Sequence, residues 1–230
     1  MDARLESLKA GYSSPKVAAR YDRVRCSNFE DALNHRSMLA ALRKGLSLVP
    51  DGGRVLDIPC GTGRFTWYLA QRGYQTVASD ISMPMMDVAL RVKPPKGSLQ
   101  ASFFVGDIFQ LPFRDRQFDA AMCIRFMNLV ERPLRVRAVR EMARVADVLI
   151  VSYYHKYTLK YFGRWAKHCL GLRAKRLSPR LSRQKMADEL AETGLKVERV
   201  ISVSPLFSEA WIAVLTHPEA PPRKRKAARR

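Results

Sequence analysis

One short segment constrains the fold of this chain more than any other. Residues 54–58 have the pattern of a buried strand, and residues 59–63, Pro-Cys-Gly-Thr-Gly, follow it directly. A glycine-rich turn after a strand lets backbone N–H groups approach a ligand closely, because glycine has no side chain in the way. In an open α/β sheet, ligands bind at the carboxyl ends of the strands. The segment therefore predicts a ligand-binding α/β domain.

Strand-like and helix-like segments alternate along the rest of the chain. Because each parallel crossover needs a helix, this alternation predicts a mostly parallel sheet with helices on both faces. The last two strands are joined by about six residues, 204–209, which is too short for a helical crossover, so we expect this pair to be antiparallel. The predicted strands are residues 54–58, 75–79, 102–105, 118–124, 148–152, 197–203 and 210–215, and the predicted helices include residues 32–48, 64–72, 83–92, 134–144 and 183–192.

The turn does not suit a nicotinamide dinucleotide. Such a cofactor requires a third glycine three residues after the second one, and Thr66 stands there. Asp57, just before the turn, would repel a pyrophosphate, but its carboxylate suits a cationic ligand such as the methionine end of S-adenosylmethionine (SAM). Asp80, at the end of the second strand, is placed to accept hydrogen bonds from ribose hydroxyls. These residues favour SAM over a dinucleotide.

Four motifs in order carry a family resemblance: residues 55–63, 78–82, 105–108 and 118–123. With their spacing, they resemble the class I SAM-dependent methyltransferases, in the broad group that includes the ubiquinone- and menaquinone-pathway enzymes. The resemblance implies a Rossmann-like, seven-stranded mixed sheet of order 3-2-1-4-5-7-6, with strand 7 antiparallel. It also implies that SAM is the cofactor and that the protein is an enzyme, a methyltransferase.

The resemblance also implies a set of cofactor contacts. The acid and glycines of the first motif surround the methionine moiety, the acid of the second binds the ribose, and the third meets the adenine. Proline stands where the family usually has its first glycine, so no backbone donor is available there. The cofactor-binding residues implied are Asp57, Pro59, Cys60, Gly61, Gly63, Asp80, Ile81, Asp107, Ile108, Arg125 and Tyr21.

No dedicated catalytic motif follows the fourth strand, where the chain reads Arg-Phe-Met-Asn over residues 125–128. This sequence does not match the Asn-Pro-Pro-Tyr type of amine-methylating signature. A general base helps when the methyl acceptor is a hydroxyl. His155, just after the fifth strand, is the best candidate because the histidine pKa lies near neutrality, and Tyr154 is a second catalytic candidate.

The domain organisation follows from composition along the chain. Residues 1–217 are expected to form one methyltransferase domain, with residues 1–50 as a helical lid that brings Tyr21 to the cofactor. Residues 153–185 are expected to form a basic insertion over the acceptor pocket. Residues 218–230 form a basic tail that we expect to be disordered. The cysteines are widely spaced, which predicts neither disulfides nor a metal site.

The charge balance concerns partners rather than the fold. The chain has 41 Lys and Arg against 21 Asp and Glu, a formal charge of +20. We expect a methyltransferase that acts on a small or lipid-like acceptor, anionic or membrane-associated. The expected location is the cytoplasm, with peripheral contact at the inner face of an anionic membrane. The alternatives are an RNA methyltransferase, which the charge favours, and a SAM-binding scaffold without turnover.

Overall fold

Seven strands form one mixed sheet in the computed structural model, which describes residues 6, 10–12, 14–25, 29–92, 94, 96–155, 169–170, 180–204 and 208–219. In chain order the strands are β1 (Arg54–Asp57), β2 (Gln75–Asp80), β3 (Ala101–Val105), β4 (Phe118–Cys123), β5 (Ala146–Tyr154), β6 (Lys196–Ser202) and β7 (Ala210–Thr216). Their order across the sheet is β3-β2-β1-β4-β5-β7-β6. β7 pairs antiparallel with both of its neighbours, and the other pairs are parallel. The predicted topology is confirmed.

Helices cover both faces of this sheet. They are α1 (Pro15–Arg25), α2 (Phe29–Gly45), α3 (Arg64–Gln71), α4 (Met83–Arg91), α5 (Arg132–Val145) and α6 (Arg183–Ala191). The side chains of β5 show the two layers: Ile150 packs in the cluster that contains residues of α2 and α3, whereas Leu149 packs in the cluster with α5 and α6. Strands buried on both faces read as continuous apolar runs, which is the pattern that the sequence has here.

Close packing between two helices depends on one glycine of the predicted turn. Gly63 has a φ of 76°, a left-handed conformation that favours glycine. A Cβ atom added to it would lie 2.9 Å from the Cβ of Ala89 on α4. The start of α3 can therefore approach α4 only because residue 63 has no side chain.

A buried ion pair joins α5 to α6. Arg135 Nη2 lies 2.7 Å from Glu189 Oε2, and both side chains are almost fully buried. Arg135 Nη1 also donates to the carbonyl oxygen of Val130 at 2.7 Å. Because a buried charge is tolerated when it is paired and hydrogen-bonded, this pair fixes the position of α6 beneath β5.

Most observed boundaries lie within two or three residues of the predicted ones. The clearest difference is β5, which begins directly at the end of α5 and continues to Tyr154. Its pairing with β7 runs to Tyr154 opposite Ala210, so tertiary pairing extends the strand past the predicted end at residue 152.

Several predictions fall largely outside the described part of the chain. Residues 156–168 and 171–179 of the predicted basic insertion, and residues 220–230 of the predicted tail, are not among the described residues. Within the described ranges, no helix has the length and apolar character needed to cross a bilayer.

Candidate functional site

A cleft opens at the carboxyl edge of the sheet, where the loops after β1, β2, β3 and β4 meet. Its wall combines backbone of the glycine-rich turn with apolar side chains and a few charged ones. The residues that line it are Tyr12, Tyr21, Ile58, Pro59, Cys60, Gly61, Thr62, Arg64, Phe65, Asp80, Ile81, Met85, Gly106, Asp107, Ile108, Phe109, Ile124, Arg125, Phe126 and Leu129.

Asp80, the last residue of β2, is held by backbone on both sides. Its Oδ2 accepts from the N–H of Gly61 at 2.8 Å, and its Oδ1 accepts from the N–H of Ser82 at 2.9 Å. Burial raises the pKa of this carboxyl, while the two backbone N–H groups oppose that rise. The side chain is therefore fixed in orientation, and each oxygen keeps a further lone pair for hydroxyl donors of a ligand.

The turn between β1 and α3 leaves open space above its glycine. Gly61 has a φ of 55°, and a Cβ atom added there would meet nothing within 4 Å. Cys60 donates its backbone N–H to the carbonyl of Ser79 at 2.8 Å, which ties the turn to β2. Burial raises the pKa of the Cys60 thiol well above its usual value, so this cysteine is not a thiolate nucleophile. Pro59 lines the cleft without an N–H to offer.

Three further predicted residues form one end of the cleft. Ile81 and Ile108 follow β2 and β3, and Asp107 lies beside Ile108. Asp107 Oδ1 accepts from the N–H of Phe109 at 3.0 Å, which closes a tight turn. The two aliphatic side chains can pack against a flat ring, and the Asp107 carboxylate can accept a hydrogen bond from an amino group on that ring.

Asp57 and Gly63 are not among the residues that line the cleft, and their contact with the cofactor stays a prediction. Asp57 is 1% exposed beneath the turn, where its Oδ2 accepts from the hydroxyl of Thr66 at 2.6 Å. Burial raises the pKa of Asp57 from 3.8 to about 7. Gly63 contacts α4 rather than the cleft. In the structure, Asp57 therefore stabilises the start of α3 through Thr66, and Gly63 allows α3 to pack closely on α4.

Arg125 also lines the cleft, and its backbone is strained. Its φ is 66°, and its N–H donates to the hydroxyl of Ser152 on β5 at 2.7 Å. Ser152 is fully buried. The left-handed conformation costs a non-glycine residue about 1–2 kcal/mol, so the surrounding structure must hold it in place.

Two tyrosines from the N-terminal region reach the cleft. Tyr21 on α1, which was expected to reach the cofactor, lines the cleft. Tyr12, which the sequence did not single out, also lines it. Their rings meet edge to face, with centroids 6.3 Å apart. The carbonyl of Tyr12 accepts from the hydroxyl of Ser82 at 2.8 Å, which attaches this region to the start of α4. A lid function for these residues stays a prediction.

The two catalytic candidates lie away from the cleft. His155 is buried and stacks on Trp211, with ring centroids 4.4 Å apart. Burial, and then the nearby Arg180, lower the pKa of His155. Tyr154 points to the other face, where the Arg180 guanidinium lies over its ring at 4.9 Å. Neither side chain lines the cleft, so their catalytic role stays a prediction without support from this geometry.

The cleft also contains residues that sequence reasoning missed. Arg64 opens α3, and its Nη1 atom is buried without a hydrogen bond to any residue that the structure describes. Phe109, Phe126 and Leu129 supply apolar surface near Arg125. Their positions after strand ends were a usable signal, but nothing local indicated which side chains turn inward. In the described ranges, no cluster of three or more His, Cys, Asp or Glu side chains could hold a metal ion.

Comparison with known proteins indicates the class of protein to which this domain is similar. Residues 55–147 match the family described as "Methyltransferase domain". Over 136 residues the chain is 34% identical to a demethylmenaquinone methyltransferase of Renibacterium salmoninarum, covering 56% of this chain and 54% of that protein. It is 36% identical over 109 residues to a magnesium-protoporphyrin O-methyltransferase of Rhodobacter capsulatus, covering 46% and 48%. The chain thus spans about half the length of these curated relatives.

The fold extends the likeness over most of the chain. The crystal structure of magnesium protoporphyrin IX methyltransferase from Synechocystis PCC 6803 with bound SAH superimposes with a TM-score of 0.73 at 20% identity, covering 92% of this chain and 99% of that one. Such a likeness shows a shared fold. Together with the four motifs, the family match identifies residues 55–147 as a methyltransferase domain and supports the predicted class I, SAM-dependent type. The predicted fold is confirmed.

Proposed function

We propose that the protein transfers a methyl group from SAM to a small acceptor that has a flat, apolar body. The observation that carries the proposal is the geometry of Asp80. Its carboxylate is held by the N–H groups of Gly61 and Ser82 at the edge of the glycine-rich turn. A carboxylate fixed in this way is suited to accept hydrogen bonds from two neighbouring ribose hydroxyls, because both of its oxygens are already oriented.

The residues around Asp80 fit the rest of the cofactor. Gly61 leaves open space where a side chain would stand. Ile81 and Ile108 offer aliphatic surface for the adenine ring, and Asp107 offers an acceptor for its amino group. When bound, SAM supplies a methyl group on a cationic sulfur. The residues of this chain bind and orient the reactants and exclude water, and positioning accounts for much of the rate of such a transfer.

The acceptor end of the cleft supports the class of acceptor. Ile124, Phe126 and Leu129 follow β4 and line the cleft beside Arg125. The two relatives named above are named for a quinone precursor and a porphyrin, which are both flat ring systems. A flat, largely apolar acceptor, anionic or lipid-like, fits this wall best. The concentration of positive charge in residues 159–185 and 221–230 favours RNA as the second candidate acceptor.

The test begins with cofactor binding to matched variants. Asp80→Asn places an amide N–H₂ opposite a backbone N–H, so we expect SAM affinity to fall about tenfold or more by calorimetry. Asp87→Asn removes an exposed carboxylate of α4 and should leave the affinity unchanged. Equal affinity for both variants would contradict the assigned ribose site.

Acceptor class is tested by incubating the protein with methyl-labelled SAM and a fractionated cell extract. We expect the label in the small-molecule or lipid fraction, and expect its loss with Asp80→Asn. Label in RNA would establish the second candidate instead. SAM binding without label in any fraction would point to a protein that binds SAM without turnover.

A further inference from the structure

Arg125 is a cationic residue of the cleft wall whose backbone the fold holds in one conformation. It follows β4 with a φ of 66°, and its N–H is bonded to the buried hydroxyl of Ser152. β4 and β5 pair in parallel up to Cys123 opposite Val151, two residues before Arg125 and one residue before Ser152. A strained position held by a buried partner occurs mostly at functional sites, where the strain aims a side chain.

The surface around Arg125 is apolar and aromatic. Phe126 and Phe109 both line the cleft, with ring centroids 6.2 Å apart and planes tilted by 56°. The guanidinium of Arg137 lies over the Phe109 ring, 5.3 Å from its centroid, and helps to fix that ring. Leu129 completes this part of the wall. A flat apolar molecule placed here would have one guanidinium at its margin.

SAM itself carries a carboxylate, and a second arginine of the cleft is better placed for it. Arg64 follows the glycine-rich turn directly, whereas Arg125 follows the neighbouring strand β4. Arg64 Nη1 is buried and has no hydrogen bond to any of the described residues. A buried guanidinium nitrogen is costly unless a ligand or another group satisfies it. Two arginines in one cleft can thus serve two different anions.

We propose that Arg125 determines acceptor specificity by binding a carboxylate carried by a flat, apolar acceptor, while Arg64 binds the carboxylate of the cofactor. The planar fork of a guanidinium matches a carboxylate in a bidentate pair, and the apolar wall strengthens that pair by excluding water. The inference rests on the proposed function, because it assumes that SAM and the acceptor share this cleft. It narrows the acceptor from any flat molecule to one with an acidic group.

The experiment uses the full chain saturated with S-adenosylhomocysteine and two matched pairs of probes. One pair is protoporphyrin IX and its dimethyl ester, and the other is 2-naphthoate and its methyl ester. Each pair shares a flat body and differs in the carboxylate. The variants are Arg125→Asn, which removes the guanidinium and suits a positive φ, Arg125→Lys, and Arg64→Gln. Thermal unfolding checks that each variant is folded.

The wild-type complex should bind at least one carboxylate probe about tenfold or more tightly than its ester. Arg125→Asn should abolish that preference without changing the affinity for S-adenosylhomocysteine, and Arg125→Lys should keep part of it. Arg64→Gln should weaken S-adenosylhomocysteine about tenfold. The inference is overturned if Arg125→Asn keeps the carboxylate preference, if it weakens S-adenosylhomocysteine instead, or if no carboxylate probe binds. Failure of the wild type to bind S-adenosylhomocysteine at all would overturn the proposed function itself.

Discussion

Replacing Asp57 with asparagine should remove a specific pH dependence from the stability of this protein. The carboxyl is 1% exposed, and burial raises its pKa from 3.8 to about 7 in the folded chain. In the unfolded chain the group returns to an ordinary pKa. The folded state therefore binds a proton more tightly than the unfolded state does, and the wild type loses stability as the pH rises from the lower value towards the higher one.

The size of the effect follows from the two pKa values. Each unit of difference corresponds to about 1.36 kcal/mol. Between pH 5 and pH 7 the unfolded carboxyl is ionised while the folded one is still largely protonated, so ionisation costs the wild type about 2 kcal/mol over this interval. Above about pH 8 both states are ionised, and no further loss is expected. Asparagine cannot ionise, and it retains an oxygen that can accept from the Thr66 hydroxyl.

The measurement is urea unfolding of the wild type and Asp57→Asn at several pH values from 5 to 8, without SAM. The free energy of unfolding of the variant minus that of the wild type should increase by about 2 kcal/mol from pH 5 to pH 7 and then level off. Asp87→Asn, which removes an exposed carboxylate, should give a nearly constant difference. If the Asp57→Asn difference varies by less than about 0.5 kcal/mol across this range, the carboxyl does not ionise in the way argued here.

Three further changes test the packing and the placement of side chains. Gly63→Ala should destabilise the protein by about 2–4 kcal/mol, because strain at positive φ adds to a clash with α4. Gly73 also has a positive φ but faces open space, so Gly73→Ala should cost only about 1–2 kcal/mol. Equal losses of the two variants on urea unfolding would count against the clash. Arg135→Met should cost about 3–5 kcal/mol by leaving the Glu189 carboxylate buried and unpaired, and adding Glu189→Leu should recover most of that loss in the same assay. His155→Phe keeps a buried ring outside the cleft, so kcat should be nearly unchanged, whereas a fall of about 100-fold or more would restore His155 as a general base.

The strands, the helices and several residues that line the cleft were predictable because their signals are local. Apolar runs and helical spacing located the elements, and the short connection before β7 indicated its antiparallel direction. Asp80 ends β2, Ile81 follows it, and Ile108 follows the parallel strand β3, so the fold brings these residues to one edge. In a parallel sheet, ligands bind at the edge where the strands end, so the strand pattern alone indicates which residues lie at that edge.

Other parts of the cleft were less predictable because they depend on contacts between distant segments. Ser82 meets Tyr12, and Arg125 meets Ser152, across large separations in sequence. His155 shows the same dependence on distant contacts: it follows β5 at the expected edge, but its imidazole stacks on Trp211 of β7 and does not line the cleft.

Periodicity and the short last connection therefore predicted a mixed α/β sheet, and the glycine-rich turn predicted the edge that carries the cleft, whereas the order of the strands came from the family resemblance. The inward direction of Arg64 and Arg125, the burial of Asp57 beneath the turn and the removal of His155 from the cleft came from the assembled fold. The physical reason is that backbone pattern is encoded over a few neighbouring residues. The direction of a side chain at the end of a strand depends instead on which distant elements pack against it.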